Sequence, residues 1–527
     1  MALPITLQMS FIEAQIQATL ERHKDILLAR AYHEGIQPIY LTERQKEYLD
    51  LHEDNQFCLN VTRLVTTALC DELNVVGFET SETAGESGEK KQAKWFWDVW
   101  NKNRMDARQS DVHEKTVSES ESFIVLDWDE NEKYPVMVFH ERFTDSAAEA
   151  WEGKWTDLDM DTMEGMTGTG TGVWMIYEND DPNQKALAAV QQWLEVTYDE
   201  TGKMADKLRR TIYYPDKIQR YFYNERGEWE EMEGSPQAWT GKDKKPLGIP
   251  VIHFKNKNMR PEAWDAIPPQ DAINKTWVDI LGATDLSGYP LFILLGLYPT
   301  TDGKPPAADN SNVWYVGPAQ MLGNAGVKAS EASVEKFEGS DPTPLMETLK
   351  DQIMFVAQIT GTPASRFITT AQVSSADTLK EQERELRKRA YNRQILFGDA
   401  WEDVMIMARR IANAFGNAGL DENVTIETVW KNLTTIDDLK AEQSLGVPEE
   451  TIWVAMGKSP DQIAAMKQTR EYKIKQEKAI WEGYAAASAN GVTVEAYLKQ
   501  IGMSDDEIAE RTADMGAESV PPEGVAL

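Results

Sequence analysis

The longest helical pattern in the chain lies in residues 374–416, which read SSADTLKEQERELRKRAYNRQILFGDAWEDVMIMARRIANAFG. Its apolar residues recur at spacings of three and four over about forty positions, as on one buried face of a helix. The members of that face are Leu379, Leu386, Ala390, Phe397, Trp401, Val404, Ala408, Ile411 and Phe415. Ser374, with Asp377 three residues later, is a helix-start pattern, and glycine is a typical helix stop. The stretch therefore predicts one long helix that ends at Gly416.

Two shorter helical patterns precede this helix, and a small insertion separates them. The first covers residues 268–287 and begins at Pro-Pro-Gln-Asp, and the second covers residues 343–360 and begins at Thr-Pro. Between them, an apolar run at residues 291–297 and a strand-like run at 313–316 predict a small αβ insertion. A polar linker, residues 361–374, then joins the second helix to the long one.

Short runs of β-branched and aromatic residues fill the region between Ser122 and Phe254, and polar turns separate them. The runs are residues 123–128, 136–139, 173–177, 211–214, 221–223 and 251–254. This pattern predicts an antiparallel meander. Residues 185–196 stay open between helix and strand, because Ala-Leu-Ala-Ala favours a helix while the neighbouring residues favour a strand.

Further helical patterns flank the meander at residues 11–74, 95–100 and 106–119, and another series runs from 435 to 500. A strand-like run, residues 424–430, follows the long helix. The predicted fold class is therefore α+β and mainly helical.

The composition limits the functions that the chain can have. Its 527 residues carry 54 Lys and Arg against 87 Asp and Glu, which gives a formal net charge of −33. Such a charge excludes proteins that hold nucleic acid through a general basic surface. The chain is 41% hydrophobic and contains 17 Trp, which predicts large buried cores. The acidic residues 501–527 predict a solvated tail.

Cys58 and Cys70, the two cysteines, lie in what the pattern predicts to be a single helix, so we expect them neither to pair nor to build a metal site. We therefore expect a reducing compartment. Residues 1–10 lack the basic and apolar regions of a signal peptide, and no run approaches the roughly 20 apolar residues of a membrane span. We expect a protein that is neither secreted nor inserted in a membrane.

Two sequences resemble parts of a phosphate-binding loop, but neither is complete. Gly457-Lys458-Ser459 resembles the end of such a loop, yet Ile452 stands where the loop requires glycine. Gly303-Lys304 is followed by Pro305, where a hydroxyl must bind magnesium. Both patterns therefore predict helix turns or loops and no nucleotide site.

Metal and nucleophile patterns are also incomplete. The carboxylates in residues 157–168 alternate as in a calcium loop, but the glycine and glutamate that the loop needs are absent. The glycine-rich residues 165–172 precede a strand-like run rather than a helix, and the six histidines are scattered. We expect no catalytic, cofactor or metal site, and no enzyme activity. The alternatives are a soluble intracellular enzyme without a recognisable motif and an acidic DNA-mimic or scaffold protein.

Residues 380–393 depart from the acidic background, with six bases against three acids. One interpretation is pairing along the helix, for example between Glu385 and Arg389 one turn later. The other is a basic collar that meets phosphates or an acidic neighbour. The collar residues are Lys380, Arg384, Arg387 and Lys388.

The order of parts between residues 247 and 415 resembles bacteriophage portal proteins of the SPP1 type, which are head-to-tail connectors. The matching stretches are Pro246-Leu-Gly-Ile-Pro-Val-Ile-His-Phe254, Ile267-Pro-Pro-Gln-Asp-Ala-Ile-Asn-Lys275, Gly361-Thr-Pro363 with Ser375-Ala-Asp-Thr-Leu-Lys380, and Phe397-Gly-Asp-Ala-Trp-Glu-Asp403. The resemblance implies a ring, usually of twelve subunits, at one capsid vertex of the virion, assembled in the host cytoplasm. Double-stranded DNA would pass through it without sequence-specific binding. The implied partners are the major capsid protein, the terminase and a head-completion adaptor, with no cofactor and no membrane.

The resemblance also implies the parts of the subunit, an α/β wing, a two-helix stem, a small αβ clip, a long helix and a helical crown. They are a wing at 1–267 with a helical N-terminal part and an antiparallel β-rich part, stem helix 1 at 268–288, a clip at 289–342, stem helix 2 at 343–360, a tunnel loop at 361–374, a long wing helix and return strand at 375–434, and a crown with an acidic tail at 435–527.

Two further sets of site residues come from this resemblance. In the tunnel loop, the expected DNA-channel residues are Thr362, Ser365, Arg366, Thr369, Thr370 and Gln372. In the clip, the expected assembly contacts are Leu291, Phe292, Leu295, Trp314 and Tyr315. Arg366 is the expected phosphate contact, and the alternative is that it caps the end of the preceding helix.

Overall fold

A computed structural model describes most of the chain up to residue 431 and selected positions after it. The described residues are 7–18, 20–37, 58–82, 90–142, 171–198, 204–224, 226–288, 291–295, 333–337, 341–367, 376–431, 450, 453, 463, 466–469, 478, 480, 484, 493–501 and 503. The chain forms two compact units, Met1–Leu433 and Thr434–Leu527.

The first unit combines helices with antiparallel strands. Its described helices are α1 (Met9–Ala18), α2 (Leu20–Glu34), α3 (Thr62–Cys70), α4 (Lys91–Lys102), α5 (Met105–Glu119), α6 (Ile267–Gly288), α7 (Thr343–Thr360) and α8 (Ala376–Phe415). Its described strands are β1 (Val75–Thr80), β2 (Glu121–Asp129), β3 (Tyr134–Glu141), β4 (Gly172–Tyr177), β5 (Ala186–Tyr198), β6 (Met204–Tyr213), β7 (Lys217–Tyr223), β8 (Trp229–Glu231), β9 (Gln237–Ala238), β10 (Val251–Lys255), β11 (Leu291–Leu295), β12 (Ser333–Phe337) and β13 (Ile426–Trp430).

In the second unit, the described helix is α9 (Val494–Gln500), and Thr493 caps it by accepting from the N–H of Ala496. Most of the acidic tail lies outside the described residues. No described helix of either unit is long and apolar enough to cross a membrane. The α+β class is confirmed, with helix and strand both contributing substantially.

The predicted long helix is confirmed as the 40-residue α8, and it carries the main hydrophobic core. Trp401 is fully buried in that core, and its ring meets Trp100 and Phe254 edge-to-face at centroid distances of 4.8 Å. Its indole N–H donates to Nε2 of His113 at 3.0 Å. Because burial of one such side chain contributes about 2–3 kcal/mol, this face of α8 holds the helix against α4, α5 and β10.

The β-rich region forms two separate sheets rather than the single meander that the sequence predicted. One sheet has the order β10-β2-β3, and the other has the order β4-β5-β6-β7-β8 with β9 paired to β7. In the first sheet, Phe123 lies opposite both His253 and His140. The strand β10 thus pairs with β2 across more than a hundred residues, and no local pattern reports such a pairing.

The local structure differs from the sequence patterns in three places. Residues 185–196, whose pattern suited both helix and strand, are mostly strand, because β5 pairs with β4 and β6 along its length. The strand β1 was not predicted, and it pairs antiparallel with the predicted β13. The expectation of one helix carrying both cysteines was wrong, since Cys58 precedes α3 and only Cys70 lies on it.

The two shorter helices are confirmed as α6 and α7, and they share a second core. Its central side chains are Ile273, Ile280, Leu349, Ile353 and Val356. Between these helices, β11 and β12 form an antiparallel hairpin in which Leu291 faces Phe337 and Leu295 faces Ser333 in register. The strand-like residues 313–316 lie outside the described residues.

Candidate functional site

The predicted tunnel loop begins with a helix cap at Gly361. Gly361 has a φ angle of 61°, in the left-handed region that glycine adopts without strain. Its N–H donates to the carbonyl of Gln358 at 3.3 Å, and the N–H of Thr362 donates to that of Ala357 at 3.0 Å. The cap satisfies two of the last carbonyls of α7 and turns the chain away from the helix axis.

Arg389 on α8 ties the end of α7 to the segment that leads into α6. Its guanidinium donates to the carbonyl oxygen of Thr360 and, at 2.7 Å, to the carboxylate of Glu262. Arg393, one turn later, donates to the other oxygen of Glu262 at 2.5 Å. We call Glu262, Arg389 and Arg393 the arginine clasp.

The clasp keeps Glu262 ionised. Burial alone would raise the pKa of its carboxyl group, but the charges and hydrogen bonds of Arg389 and Arg393 outweigh burial, so the pKa lies below its ordinary value. The carboxylate is 11% exposed. Two of the six bases in residues 380–393 therefore share one carboxylate inside the subunit.

Arg366 forms a second link, at the surface. Its guanidinium lies 3.4 Å from Oδ2 of Asp71 and 3.1 Å from Oε1 of Glu72, in the turn between α3 and β1. These partners are carboxylates and not carbonyls of α7, whose end is held by Arg389. The structure therefore does not support the alternative in which Arg366 caps the preceding helix.

The remaining loop residues differ in their surroundings. Thr362 is buried, and its hydroxyl lies 3.1 Å from that of Thr360. Ser365 is exposed. The other predicted loop contacts lie outside the described residues and are Thr369, Thr370 and Gln372.

The basic collar residues occupy the first third of α8. Arg387 pairs with Glu383 one turn earlier at 2.9 Å, as the helix-pairing interpretation expected of this stretch. Arg389, which that interpretation paired with Glu385, binds Glu262 instead. The backbone of Lys380 lies in α8, but its side chain is outside the described part.

Arg384 and Lys388 are exposed and line a groove of about 970 Å³. The opposite wall is α7, which contributes Met354 and Phe355. The groove therefore combines two cations with exposed apolar side chains. The structure thus brings Arg384 and Lys388 of the predicted collar next to α7 and the start of the predicted tunnel loop.

Of the predicted clip contacts, three lie on the hairpin strand β11 and are Leu291, Phe292 and Leu295. Trp314 and Tyr315 lie outside the described residues. The same holds for the phosphate-loop and calcium-loop patterns at residues 157–168, 303–305 and 457–460. Within the described residues, no group of three or more His, Cys, Asp or Glu side chains could hold a metal ion.

Sequence reasoning missed the role of Glu262. It stands 127 residues before Arg389, and no spacing rule connects positions so far apart. Two sequence features could have pointed to Glu262. One is the Pro-Glu pair just before α6, and the other is that α8 contains more arginines than its own glutamates can pair with. Together they indicate a distant acidic partner without identifying it.

Residues 174–479 match the family described as "Phage portal protein, SPP1 Gp6-like". The portal protein of Mycobacterium phage L5 is 22% identical over 446 residues, which cover 80% of this chain and 78% of that protein. The portal protein of Mycobacterium phage D29 is 23% identical over 49% of this chain, and the match spans about half, 51%, of that relative's length.

Two solved structures show weaker similarity. The neck of an empty gene transfer agent particle, computed with C6 symmetry, is 11% identical over 80% of this chain and 96% of that chain, with a TM-score of 0.36. An HK97 family phage portal protein from Corynebacterium diphtheriae is 10% identical over 74% of this chain and 93% of that chain, with a TM-score of 0.25.

Proposed function

The chain belongs to the SPP1 Gp6-like family of phage portal proteins, and from that premise we propose that it forms a ring at one capsid vertex through which DNA is packaged and ejected. The observation that carries this proposal is the family match over residues 174–479, more than half of the 527-residue chain. The match favours this function over the soluble-enzyme and DNA-mimic alternatives. In the family that the sequence resembles, the ring usually has twelve subunits.

We assign the parts of the subunit on the same basis. The helices α6 and α7 are the two stem helices, residues 289–342 are the clip, and residues 361–374 are the tunnel loop. A shared hydrophobic core between α6 and α7 supports the stem assignment, because two helices on either side of an insertion must be held together. Residues 1–267 and 375–434 make up the wing, and residues 435–527 make up the crown and its tail.

The charge of the chain suits a channel through which a duplex must slide. A net charge of −33 per subunit prevents the counterion release that drives tight binding of proteins to DNA. Arg366 faces two carboxylates, Asp71 and Glu72, so this cation does not make the start of the tunnel loop a basic surface. Repulsion would keep the duplex from stalling on the wall.

The partners follow from position in such a particle. The wing would contact the major capsid protein, and the clip would dock the terminase and later the head-completion adaptor. The support for the clip is its apolar strand β11, which lies in an insertion too short to build a large core of its own.

A deletion experiment tests the proposed function. In the phage that carries the gene, deletion should leave capsids that contain no DNA, and the full chain supplied in trans should restore DNA-filled particles. Electron micrographs of the purified protein should show closed rings with a central hole. DNA-filled particles made without the gene would overturn the proposal.

A further inference from the structure

Exposed apolar side chains follow one edge of α7 and continue along α8. Phe355 and Ile359 are 61% and 54% exposed, and Tyr391 and Ile395 are 59% and 50% exposed. With the two exposed collar cations they form a surface that we call the amphipathic stripe. Its members are Met354, Phe355, Ile359, Arg384, Lys388, Tyr391 and Ile395.

The stripe is continuous. Met354, Phe355, Arg384 and Lys388 line the same groove, so the two helices meet there. On α8, the positions 384, 388, 391 and 395 follow one another at spacings of four and three, which places them on one face of the helix. The opposite face of α8 is the buried one that carries the main core.

The stripe is large for an apolar surface that is exposed to water. Several large side chains, each with about half of its roughly 150–250 Å² exposed, amount to about 500 Å² of apolar area. A patch of that size is at the upper end of what a monomer exposes, and a stable interface buries about 800 Å² on each partner. The stripe therefore has the size of the apolar centre of a protein interface.

The chemistry of the stripe favours a protein surface over DNA as its binding partner. A DNA duplex offers phosphates to Arg384 and Lys388 but would leave Phe355 and the rest of the apolar surface in water. A protein face that combines acids with apolar groups satisfies both. A second copy of this chain presents acidic surface, since its net charge is −33 and its described residues include a row of exposed acids in and around β8. That row is Glu228, Glu230, Glu231 and Glu233.

We propose that the amphipathic stripe receives an acidic face of the next copy in the ring. The proposal rests on the proposed function, because a ring of identical subunits requires each copy to present two different, complementary surfaces. The collar cations are then contacts to an acidic neighbour rather than to DNA. The apolar residues supply the buried centre, and Arg384 and Lys388 select an acidic partner.

Ring formation by purified variants tests the proposal. The variants are Phe355→Asp and Ile395→Asp, and the matched control is Leu194→Asp, at a 44% exposed leucine of β5 outside the stripe. The stripe variants should keep the thermal unfolding midpoint of the wild type yet need at least tenfold more protein to form rings in native mass spectrometry. The control should assemble like the wild type. Stripe variants that assemble normally would overturn the proposal.

A second measurement covers the case in which an aspartate variant fails to fold. In Ile395→Cys, maleimide labelling at position 395, followed by peptide mass spectrometry, should be at least tenfold slower in rings than in dissociated subunits. Labelling at position 395 that is equally fast in both states would overturn the proposal. Leu194→Cys should label equally in both states.

Charge reversal separates DNA from a neighbouring copy as the occupant. With Arg384→Glu and Lys388→Glu together, the proposal predicts loss of rings, whereas normal rings that package less DNA would assign the collar to DNA and overturn it. If the wild-type chain and all stripe variants form rings, the proposed role of the stripe is refuted and the portal function still stands. A wild-type chain that forms no ring in capsids overturns both.

Discussion

At the scale of single residues, Glu262 is where three elements converge, because its carboxylate binds Arg389 and Arg393 of α8, and Arg389 also holds the end of α7. In Glu262→Gln, the buried guanidinium group of Arg393 and the partly buried one of Arg389 lose their counter-charge. We expect the free energy of unfolding to fall by about 2–3 kcal/mol. Chemical denaturation of the purified variant measures it. The matched control is Asp265→Asn, whose partner Arg260 is exposed, and it should cost less than about 1 kcal/mol.

The same substitution has a pH signature. Because the pKa of Glu262 in the folded chain is below its ordinary value of 4.5, its stabilisation is fully present above about pH 4.5 and is lost as the pH falls through the folded pKa. The difference in stability between wild type and Glu262→Gln should therefore shrink on acidification below pH 4.5. A difference that stays constant down to the acid-unfolded state contradicts the clasp.

Arg366 provides a functional test at the same scale. Arg366→Ala removes the expected phosphate contact from the start of the predicted tunnel loop and leaves the neighbouring Asp71 and Glu72 without their cation, so we expect slower packaging. Since Arg366 is one-third exposed, stability should change by less than about 1 kcal/mol and rings should persist. A capsid packaging assay measures the rate and the DNA length. The control is Arg226→Ala at another exposed arginine, which should package at the wild-type rate. If Arg366→Ala also packages at that rate, Arg366 has no part in packaging.

At the scale of elements, the end of α8 depends on the absence of a side chain at Gly416. A Cβ atom there would lie 2.4 Å from Cη2 of Trp128 and 2.9 Å from the carbonyl oxygen of Ala412. Gly416→Ala should therefore destabilise the chain by about 1–3 kcal/mol in thermal or chemical unfolding. At Gly282, inside α6, an added Cβ atom would have no other atom within 4 Å, so Gly282→Ala should instead stabilise the chain by about 0.5–1 kcal/mol. Equal effects of the two substitutions would refute this account of the helix end.

The hairpin β11–β12 is the element for which we predict an assembly function. Leu291→Asp with Leu295→Asp should weaken or abolish rings, since the apolar strand would lose the surface that a neighbouring subunit covers. Sedimentation and electron micrographs report ring size and abundance. Lys336→Asp, on the paired strand β12, adds a negative charge without removing an apolar residue and serves as the control. Rings of normal size and stability in the double variant would mean that the strand packs only within its own subunit.

At the scale of the whole molecule, we predict that the chain does not hydrolyse ATP on its own and that any energy for packaging comes from a partner. Both phosphate-loop resemblances are interrupted, at Ile452 and at Pro305. Purified full-length protein should therefore release no phosphate from ATP above a buffer blank. Turnover that disappears in Lys458→Ala would overturn this prediction.

Local patterns in the sequence determined several features of this protein. The 3–4 spacing located α6, α7 and α8, because a helix is defined by contacts within one or two turns. Composition alone excluded a general nucleic-acid-binding surface, since net charge needs no coordinates. The succession of short motifs between residues 246 and 403 indicated the portal family, which the match over residues 174–479 confirms.

Only the tertiary structure decided which distant residues meet. The pairing of β1 with β13, the separation of the β region into two sheets, and the choice of Glu262 over Glu385 as the partner of Arg389 each join positions that no period connects. For residues 185–196, pairing with β4 and β6 overrode a composition that also suited a helix. The physical reason is that periodicity reports the neighbours along one element, whereas these contacts form only when the chain closes on itself and buries a shared core.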